Sequence, residues 1–177
     1  MHFELKSISA QSIPQALAKV ERYRLLNEPS LAESICLDIL AIIPDHQQAL
    51  ISLLLAQTDQ FRSKVKAVAA AQDVLSRIKG DYERAYYAGI IWERLGHARI
   101  HEGAPGVATA AYHSLRAAMR HYEAAAKFSV PGNDDAILRW NTCARVIMQN
   151  PDILPLLDDQ PADTWVRDEA SSRIADA

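Results

Sequence analysis

The sequence has few of the residues that build sheets and no excess of charge of one sign. It contains 3 Phe, and its 49% of apolar residues come mainly from Ala and Leu, a balance that favours helices over strands. The formal charge of −3 gives no basic surface that would indicate binding to nucleic acid or to an anionic membrane. With 177 residues, the chain is long enough for one domain with a continuous core.

Cysteine and long apolar runs are also scarce. The two cysteines, Cys36 and Cys143, both lie in apolar helical patterns, which indicates reduced thiols rather than a disulfide framework. The most apolar window, 50–56, is too short to span a bilayer, and the first residues lack the pattern of a signal peptide. We therefore expect a cytoplasmic protein that is not inserted in a membrane.

Proline and glycine divide the chain into segments with helical periodicity. Ser12 and Gln15 have the spacing of a capping box that opens the first helix, Asp45 is placed to cap the third, and Gly80 is placed to end the fourth. We expect seven main helices, at about 13–27, 29–43, 46–58, 61–79, 82–102, 107–129 and 134–149. They would form a helical-repeat domain over 13–150, between an N-terminal lead, 1–12, and an acidic C-terminal tail, 151–177.

The segment 85–96, A-Y-Y-A-G-I-I-W-E-R-L-G, carries two glycines inside a helical pattern. A glycine in the middle of a helix costs about 1 kcal/mol relative to alanine, so it usually has a packing reason. We expect another helix to approach closely at Gly89, with Trp92 filling the space one turn further on. Such contacts are typical of proteins that are built from stacked helical hairpins.

Several positions follow the pattern of the tetratricopeptide repeat. The first repeat has Ala32, Cys36 and Pro44, and the middle repeat keeps Ala49, Leu53 and Ala67. The third repeat has Gly89 and Trp92 in its first half and Ala118, Tyr122 and Pro131 in its second half. Pro44 and Gly80, which both end helices, are 36 residues apart, close to the 34 residues of that repeat. The chain therefore resembles the tetratricopeptide repeat (TPR) family, with degenerate repeats. The run P-G-N-D-D-A-I-L-R-W-N-T-C-A-R resembles a segment of uncharacterised bacterial TPR-like proteins.

The resemblance implies an all-α fold, a right-handed stack of antiparallel helical hairpins in which the first helix of each pair lines a concave groove. The groove-lining positions that it implies are Leu17, Glu21, Arg24, Ile51, Leu55, Thr58, Tyr86, Ile90, Glu93, His97, Leu138, Thr142 and Arg145. An apolar strip edged with charges would suit an extended peptide or a partner helix. The implied function is protein–protein interaction, by an adaptor or scaffold without catalysis and without a cofactor.

The third hairpin is longer than the repeat pattern allows. Gly96 and Ala118 are 22 positions apart where the family pattern has five, so we expect two helices that project about 10–12 Å beyond their neighbours. The projecting arm, 97–117, keeps apolar residues that two helices alone would cover only partly. We expect it to dock against the N-terminal lead, with Phe3 and Leu5, against the tail, against a second copy in a homodimer, or against a partner.

The acidic tail is a further segment whose place is left open. Residues 151–177 hold seven acids and two bases, together with the apolar side chains of Leu156, Leu157 and Trp165. This composition is compatible with two alternatives. In one, these side chains dock on the weakly basic body; in the other, the tail is disordered.

One cluster suggests chemistry, and it is based on histidine. Glu93, His97 and His101 are four residues apart and share one ridge of a helix, and His113 would join them across the hairpin. The alternative function is therefore a small-ligand or metal-binding regulatory domain that uses these four side chains. No HExxH or Glu-x-x-His pair accompanies them, so a metal is not expected. A structural homodimer is the third function left open.

Catalysis has little support in the sequence. No nucleophile elbow, phosphate-binding loop or dinucleotide-binding glycine pattern occurs, so we do not expect an enzyme. Cys143 is expected to be a packed, inert thiol, with Trp140 beside it in the core. Arg139 and Arg145 flank the helix stripe that holds these two residues and could fix a carboxylate bidentately, but we expect them to be solvated or to form an ion pair with Asp134 or Asp135.

Overall fold

The computed structural model describes residues 3–62, 67–102 and 107–155, except for the side chain of Glu102. Among these residues there are seven α-helices, two short 3-10 helices and no strand, so the all-α class expected from the sequence is confirmed. The α-helices are α1 (Ile13–Leu25), α2 (Pro29–Ile42), α3 (Gln47–Thr58), α4 (Ala67–Ser76), α5 (Asp81–Glu102), α6 (Val107–Ala126) and α7 (Asp135–Gln149). The 3-10 helices are Ala10–Ser12 and Pro151–Ile153.

Most helix ends follow the local signals, but two helices end earlier than predicted: α4 at Ser76, well before Gly80, and α6 at Ala126 rather than 129. Residues 61 and 62, predicted to open the fourth helix, lie in a turn. Pro29 lies in the first turn of α2, where its missing N–H has no partner to lose, and Pro44 follows the end of the same helix. Gly80 has a φ of +89° just before α5, a left-handed conformation that glycine adopts without steric cost. The boundaries between helices are therefore local properties of the chain.

Two predicted caps are wrong. The Ser12 hydroxyl donates to the backbone oxygen of Ser9 at 2.7 Å and makes no capping hydrogen bond to α1. The preceding 3-10 turn runs directly into α1 and leaves Ser12 in a helical conformation, so the predicted capping box does not form. At α3 the cap is His46 and not Asp45, because Nδ1 of His46 accepts from a backbone N–H three residues on, at 3.3 Å.

Each helix packs against the next one along the chain, from α1 to α7. Odd-numbered helices also meet, because α1 contacts α3 and α3 contacts α5. Helices α1, α3 and α5 therefore lie side by side, and side chains from all three can meet on one surface.

Two clusters of buried side chains form the core, and α5 belongs to both. The first cluster joins α1 to α4 and includes Ile91 and Ala98 of α5. The second cluster joins α5, α6, α7 and the final 3-10 helix, and Ile90 is its member from the middle of α5. Since no other helix supplies buried residues to both clusters, α5 is the central element of the described fold.

The close approach expected at Gly89 is confirmed, and Gly96 makes a second one. A Cβ atom on Gly89 would lie 2.4 Å from Cε1 of Tyr122 on α6. A Cβ atom on Gly96 would lie 2.9 Å from Cδ2 of Leu115, about two turns earlier in α6. Because the contacts advance along α5 and retreat along α6, the two helices are antiparallel. The Trp92 side chain is partly buried and packs against the second core cluster.

The elongated third hairpin is present. α5 has 22 residues and α6 has 20, whereas the other α-helices have between 10 and 15. At 1.5 Å per residue, α5 is about 33 Å long, and α3, with its 12 residues, is about 18 Å long.

The arm formed by this hairpin is partly covered, as expected. Its buried apolar residues are Ala98, Ala111 and Leu115, and its partly buried ones are Ile100, Val107 and Tyr112. Ala98 is buried in the first core cluster, whereas Ala111 and Leu115 lie where α6 approaches Gly96. Phe3 and Leu5 are 73% and 86% exposed, so these two side chains of the N-terminal lead do not cover the arm.

The described part of the acidic tail ends at residue 155. Ile153, in the final 3-10 helix, is buried in the second core cluster. The expected docking of Leu156, Leu157 and Trp165 falls outside the described residues.

Gly89→Ala should destabilise the protein, although alanine favours a helix by about 1 kcal/mol over glycine. The added methyl group would meet the Tyr122 ring, which a hydrogen bond holds in place, and overpacking of this kind costs about 1–3 kcal/mol. Gly89→Leu, with its larger volume, should cost more. Gly96→Ala is the matched control on the same helix, because the flexible side chain of Leu115 is its nearest neighbour. Urea unfolding measures the difference; a Gly89→Ala protein as stable as the Gly96→Ala protein would contradict the packing argument.

Candidate functional site

A groove with a volume of about 820 Å³ lies on the surface where α1, α3 and α5 meet. Its walls come from the end of α1, the end of α3 with the residues after it, and the second half of α5. Arg139 reaches it from α7. The charged and histidine side chains that line it are Glu21, Arg24, Asp59, Arg62, Glu93, Arg94, His97, His101 and Arg139.

Glu93 is the buried carboxylate of this groove, with only 3% of its surface exposed. The Tyr122 hydroxyl donates a hydrogen bond to its Oε2 at 2.6 Å, and Nη1 of Arg139 donates to its Oε1 at 3.0 Å. Nε2 of His97, one turn further along α5, lies 4.0 Å from the same Oε1. The carboxylate therefore links α5 to both α6 and α7.

The packing of α5 against α6 explains how Tyr122 reaches the carboxylate. Gly89 has no side chain, so the Tyr122 ring lies directly against the α5 backbone. Glu93 is four residues after Gly89 and hence on the same face of the helix, where the hydroxyl at the end of the ring meets it. The Tyr86 ring, also on α5, packs against the Tyr122 ring, with ring centroids 5.8 Å apart.

Burial and charge set the ionisation of this network. Burial, together with the Glu93 carboxylate, raises the pKa of Tyr122 well above its usual value, so the hydroxyl stays a hydrogen-bond donor. Burial works to lower the pKa of Arg139, but the Glu93 carboxylate together with Tyr86 and Tyr122 outweighs it and raises that pKa. Burial lowers the pKa of His97 more than the neighbouring Glu93 raises it. His97 is thus a neutral side chain at pH 7.

A second set of charges lies at Asp59, just after α3. Nε of Arg24 donates to its Oδ2 at 2.9 Å, and Nη2 of Arg94 lies 3.7 Å from its Oδ1. One carboxylate is therefore shared by two guanidinium groups. Nε of Arg94 is buried and has no hydrogen-bond partner in the part of the chain that the structure describes.

The predicted groove residues fall into three groups. The first lines the groove and consists of Glu21, Arg24, Thr58, Glu93 and His97. The second is packed into the core and consists of Leu17, Ile51, Leu55, Tyr86 and Ile90. The third is exposed and does not line the groove; it consists of Leu138, Thr142 and Arg145.

The predicted apolar strip is therefore corrected to a polar lining. Ile90 is 1% exposed, and Ile51, Leu55 and Tyr86 are partly buried in the core clusters. These side chains belong to the two core clusters, so charged and histidine side chains form most of the lining of the groove.

Sequence reasoning missed the charged groove residues Asp59, Arg62, Arg94 and Arg139, and also the uncharged lining residues Leu25, Asn27, Pro29, Phe61 and Ala98. The expectation for Arg139 is wrong, because it pairs with Glu93, 46 residues away, and not with Asp134 or Asp135. No local pattern marks such a pair. The position of Asp59 at a helix end was visible, but its two arginine partners were not.

The histidine ridge does not assemble into a metal site among the described residues, where no group of three or more His, Cys, Asp or Glu side chains could hold an ion. Glu93 and His97 are close, and His101 is exposed at the groove. His113 is exposed and packs against Tyr112, with ring centroids 5.6 Å apart. The expected pairing of His113 with the ridge is therefore wrong.

Both cysteines are free and buried, as expected. Burial raises the pKa of Cys143 to about 12 and that of Cys36 to about 12. These thiols are therefore protonated at neutral pH and are poor nucleophiles. Trp140 packs beside Cys143 in the second cluster and donates from Nε1 to Glu123 at 2.8 Å.

No protein-family model, curated protein or solved structure matches this chain. In the described ranges, no helix combines the length and the apolar character that crossing a membrane requires. The function is therefore argued from the groove itself.

Tyr122→Phe should lower the free energy of unfolding by about 1.5–3 kcal/mol, because it removes a hydrogen bond to a buried charged group. Tyr82→Phe is the control, since the Tyr82 hydroxyl meets the neutral Asn133 amide at the longer distance of 3.3 Å. Chemical denaturation of the two variants gives the comparison. Equal losses would mean that the hydrogen bond to Glu93 contributes nothing beyond that of an ordinary tyrosine.

Proposed function

We propose that this protein is a non-catalytic interaction module whose groove binds a peptide segment or helix of a partner protein. The observation that carries this proposal is the open groove of about 820 Å³ on the face shared by α1, α3 and α5. A groove of this volume falls in the usual range of about 300–1,000 Å³ for ligand sites. It holds several convergent polar groups, which would set the orientation of a bound segment.

The charged side chains of the groove are held before any ligand arrives. Arg24 is fixed by Asp59, and Arg139 is fixed by the buried Glu93. A site with side chains already in place loses less conformational entropy when a ligand binds. This preorganisation supports recognition by the groove over a role of the ion pairs in stability alone.

We also propose the finer architecture, a right-handed TPR-like superhelix in which α1, α3 and α5 are the first helices of successive hairpins. The side-by-side arrangement of these helices supports it, and so does the Gly89–Tyr122 contact between two positions of the family pattern. The free, buried thiols of Cys36 and Cys143 support a cytoplasmic location.

A homodimer is the second candidate, and an exposed apolar face of α7 favours it. Ile137 and Met148 are 50% and 72% exposed, and their spacing of eleven residues places them on one side of this last α-helix. The observation concerns α7 and not the 97–117 arm, through which the sequence suggested a dimer. If α7 pairs with a second copy, light scattering will give twice the chain mass and Ile137→Glu will return it to the mass of a monomer. A monomeric parent protein at tens of micromolar would rule this candidate out.

The groove itself can be tested with a photo-crosslinking amino acid in place of Leu25, which is 88% exposed and lines it. The matched control carries the same amino acid in place of Leu37 on α2, 53% exposed and outside the groove lining. Irradiation in cells, followed by mass spectrometry, should identify a protein crosslinked from position 25 but not from position 37. The same crosslinks from both positions, or none from position 25, would contradict the proposal.

A further inference from the structure

We propose that the segment bound in the groove is an acidic peptide, and that Arg24 and Arg94, held at Asp59, bind one of its carboxylates. This inference rests on the proposed function for the existence of a peptide ligand. It goes beyond that proposal by naming the chemistry of the ligand and the side chains that recognise it.

The balance of charge in the groove favours an anion. Four arginines line it against three carboxylates, those of Glu21, Asp59 and Glu93, and His97 is neutral. The Glu93 carboxylate is buried and already bound by Tyr122 and Arg139, so it offers little to a cationic ligand. The groove surface therefore carries an excess of positive charge, in a protein whose formal charge is −3.

The two arginines beside Asp59, Arg24 and Arg94, hold a donor that can serve a ligand. The Asp59 carboxylate accepts a hydrogen bond from Arg24, whereas Arg94 lies at 3.7 Å, beyond hydrogen-bonding distance. The guanidinium of Arg94 is therefore held near Asp59 by charge rather than by a hydrogen bond to that carboxylate. Its Nε is buried without an acceptor among the described residues, a state that a ligand oxygen would relieve.

A carboxylate fits this arrangement because it accepts two parallel hydrogen bonds from a guanidinium. The side chains of Arg24 and Arg94 are 23% and 39% exposed, so both reach the groove without being fully solvated. Leu25 and Phe61 line the same groove and offer apolar contact to the rest of a peptide.

The test measures binding of a fluorescein-labelled hexaglutamate peptide to the full chain by fluorescence anisotropy at low salt. Arg94→Gln should weaken binding about tenfold or more, since it removes charge-assisted hydrogen bonds. Arg84→Gln is the matched control on the same helix, because Arg84 is exposed, pairs with Asp81 and lies outside the groove lining. It should leave the affinity within about twofold, as a screened surface charge would.

Asp59→Asn gives a result that a merely structural role would not produce. The amide oxygen can still accept the hydrogen bond from Arg24, but the charge that competes with the ligand is gone. Hexaglutamate should therefore bind more tightly to this variant, by about threefold or more at low salt. Circular dichroism and thermal unfolding of each variant establish that it is folded.

Several results would overturn the inference. They are equal binding of labelled hexalysine, an Arg94→Gln protein that binds as the Arg84→Gln protein does, weaker binding by Asp59→Asn, and competition by inorganic phosphate at the concentration at which free hexaglutamate competes. If hexaglutamate does not bind but a partner still crosslinks from position 25, the acidic ligand is wrong and the proposed function stands. If neither is observed, both proposals are wrong.

Discussion

A carboxylate that is removed from water must be compensated by hydrogen bonds and an opposite charge, and this constraint at Glu93 organises the structure. No group on α5 itself satisfies it. The compensation comes from Tyr122 on α6 and Arg139 on α7, so one side chain joins three helices. Gly89 belongs to the same arrangement, because any side chain there would push the Tyr122 ring away from the carboxylate.

The polar lining of the groove follows from the burial of apolar side chains in the core of the helical stack. Ile51 and Leu55 pack against the first core cluster and Ile90 belongs to the second, and charged side chains line the groove between the helix ends. Two carboxylates, Asp59 and Glu93, then hold the arginines in place. Recognition by such a surface would depend on matching charge and donor geometry more than on apolar area.

Much of the fold was predictable from the sequence, and the two main errors have different causes. Helix positions, the close approach at Gly89 and the long third hairpin all follow from periodicity, helix breakers and spacing. The capping box at Ser12 failed because a 3-10 turn precedes α1, a detail of the chain path. The apolar strip failed because the same periodicity describes a side chain that faces a partner and one that faces the next helix.

The sequence by itself determined the helical class, the helix boundaries and the identity of Gly89 as a contact position, because backbone propensity and local periodicity act between residues close in the chain. Only the tertiary structure decided the candidate site. Glu93 meets Tyr122 across 29 residues and Arg139 across 46, and Asp59 meets Arg24 across 35. The spacing of charged residues in a sequence does not indicate which of them form ion pairs. These pairs form only when α5 has packed against its neighbouring helices.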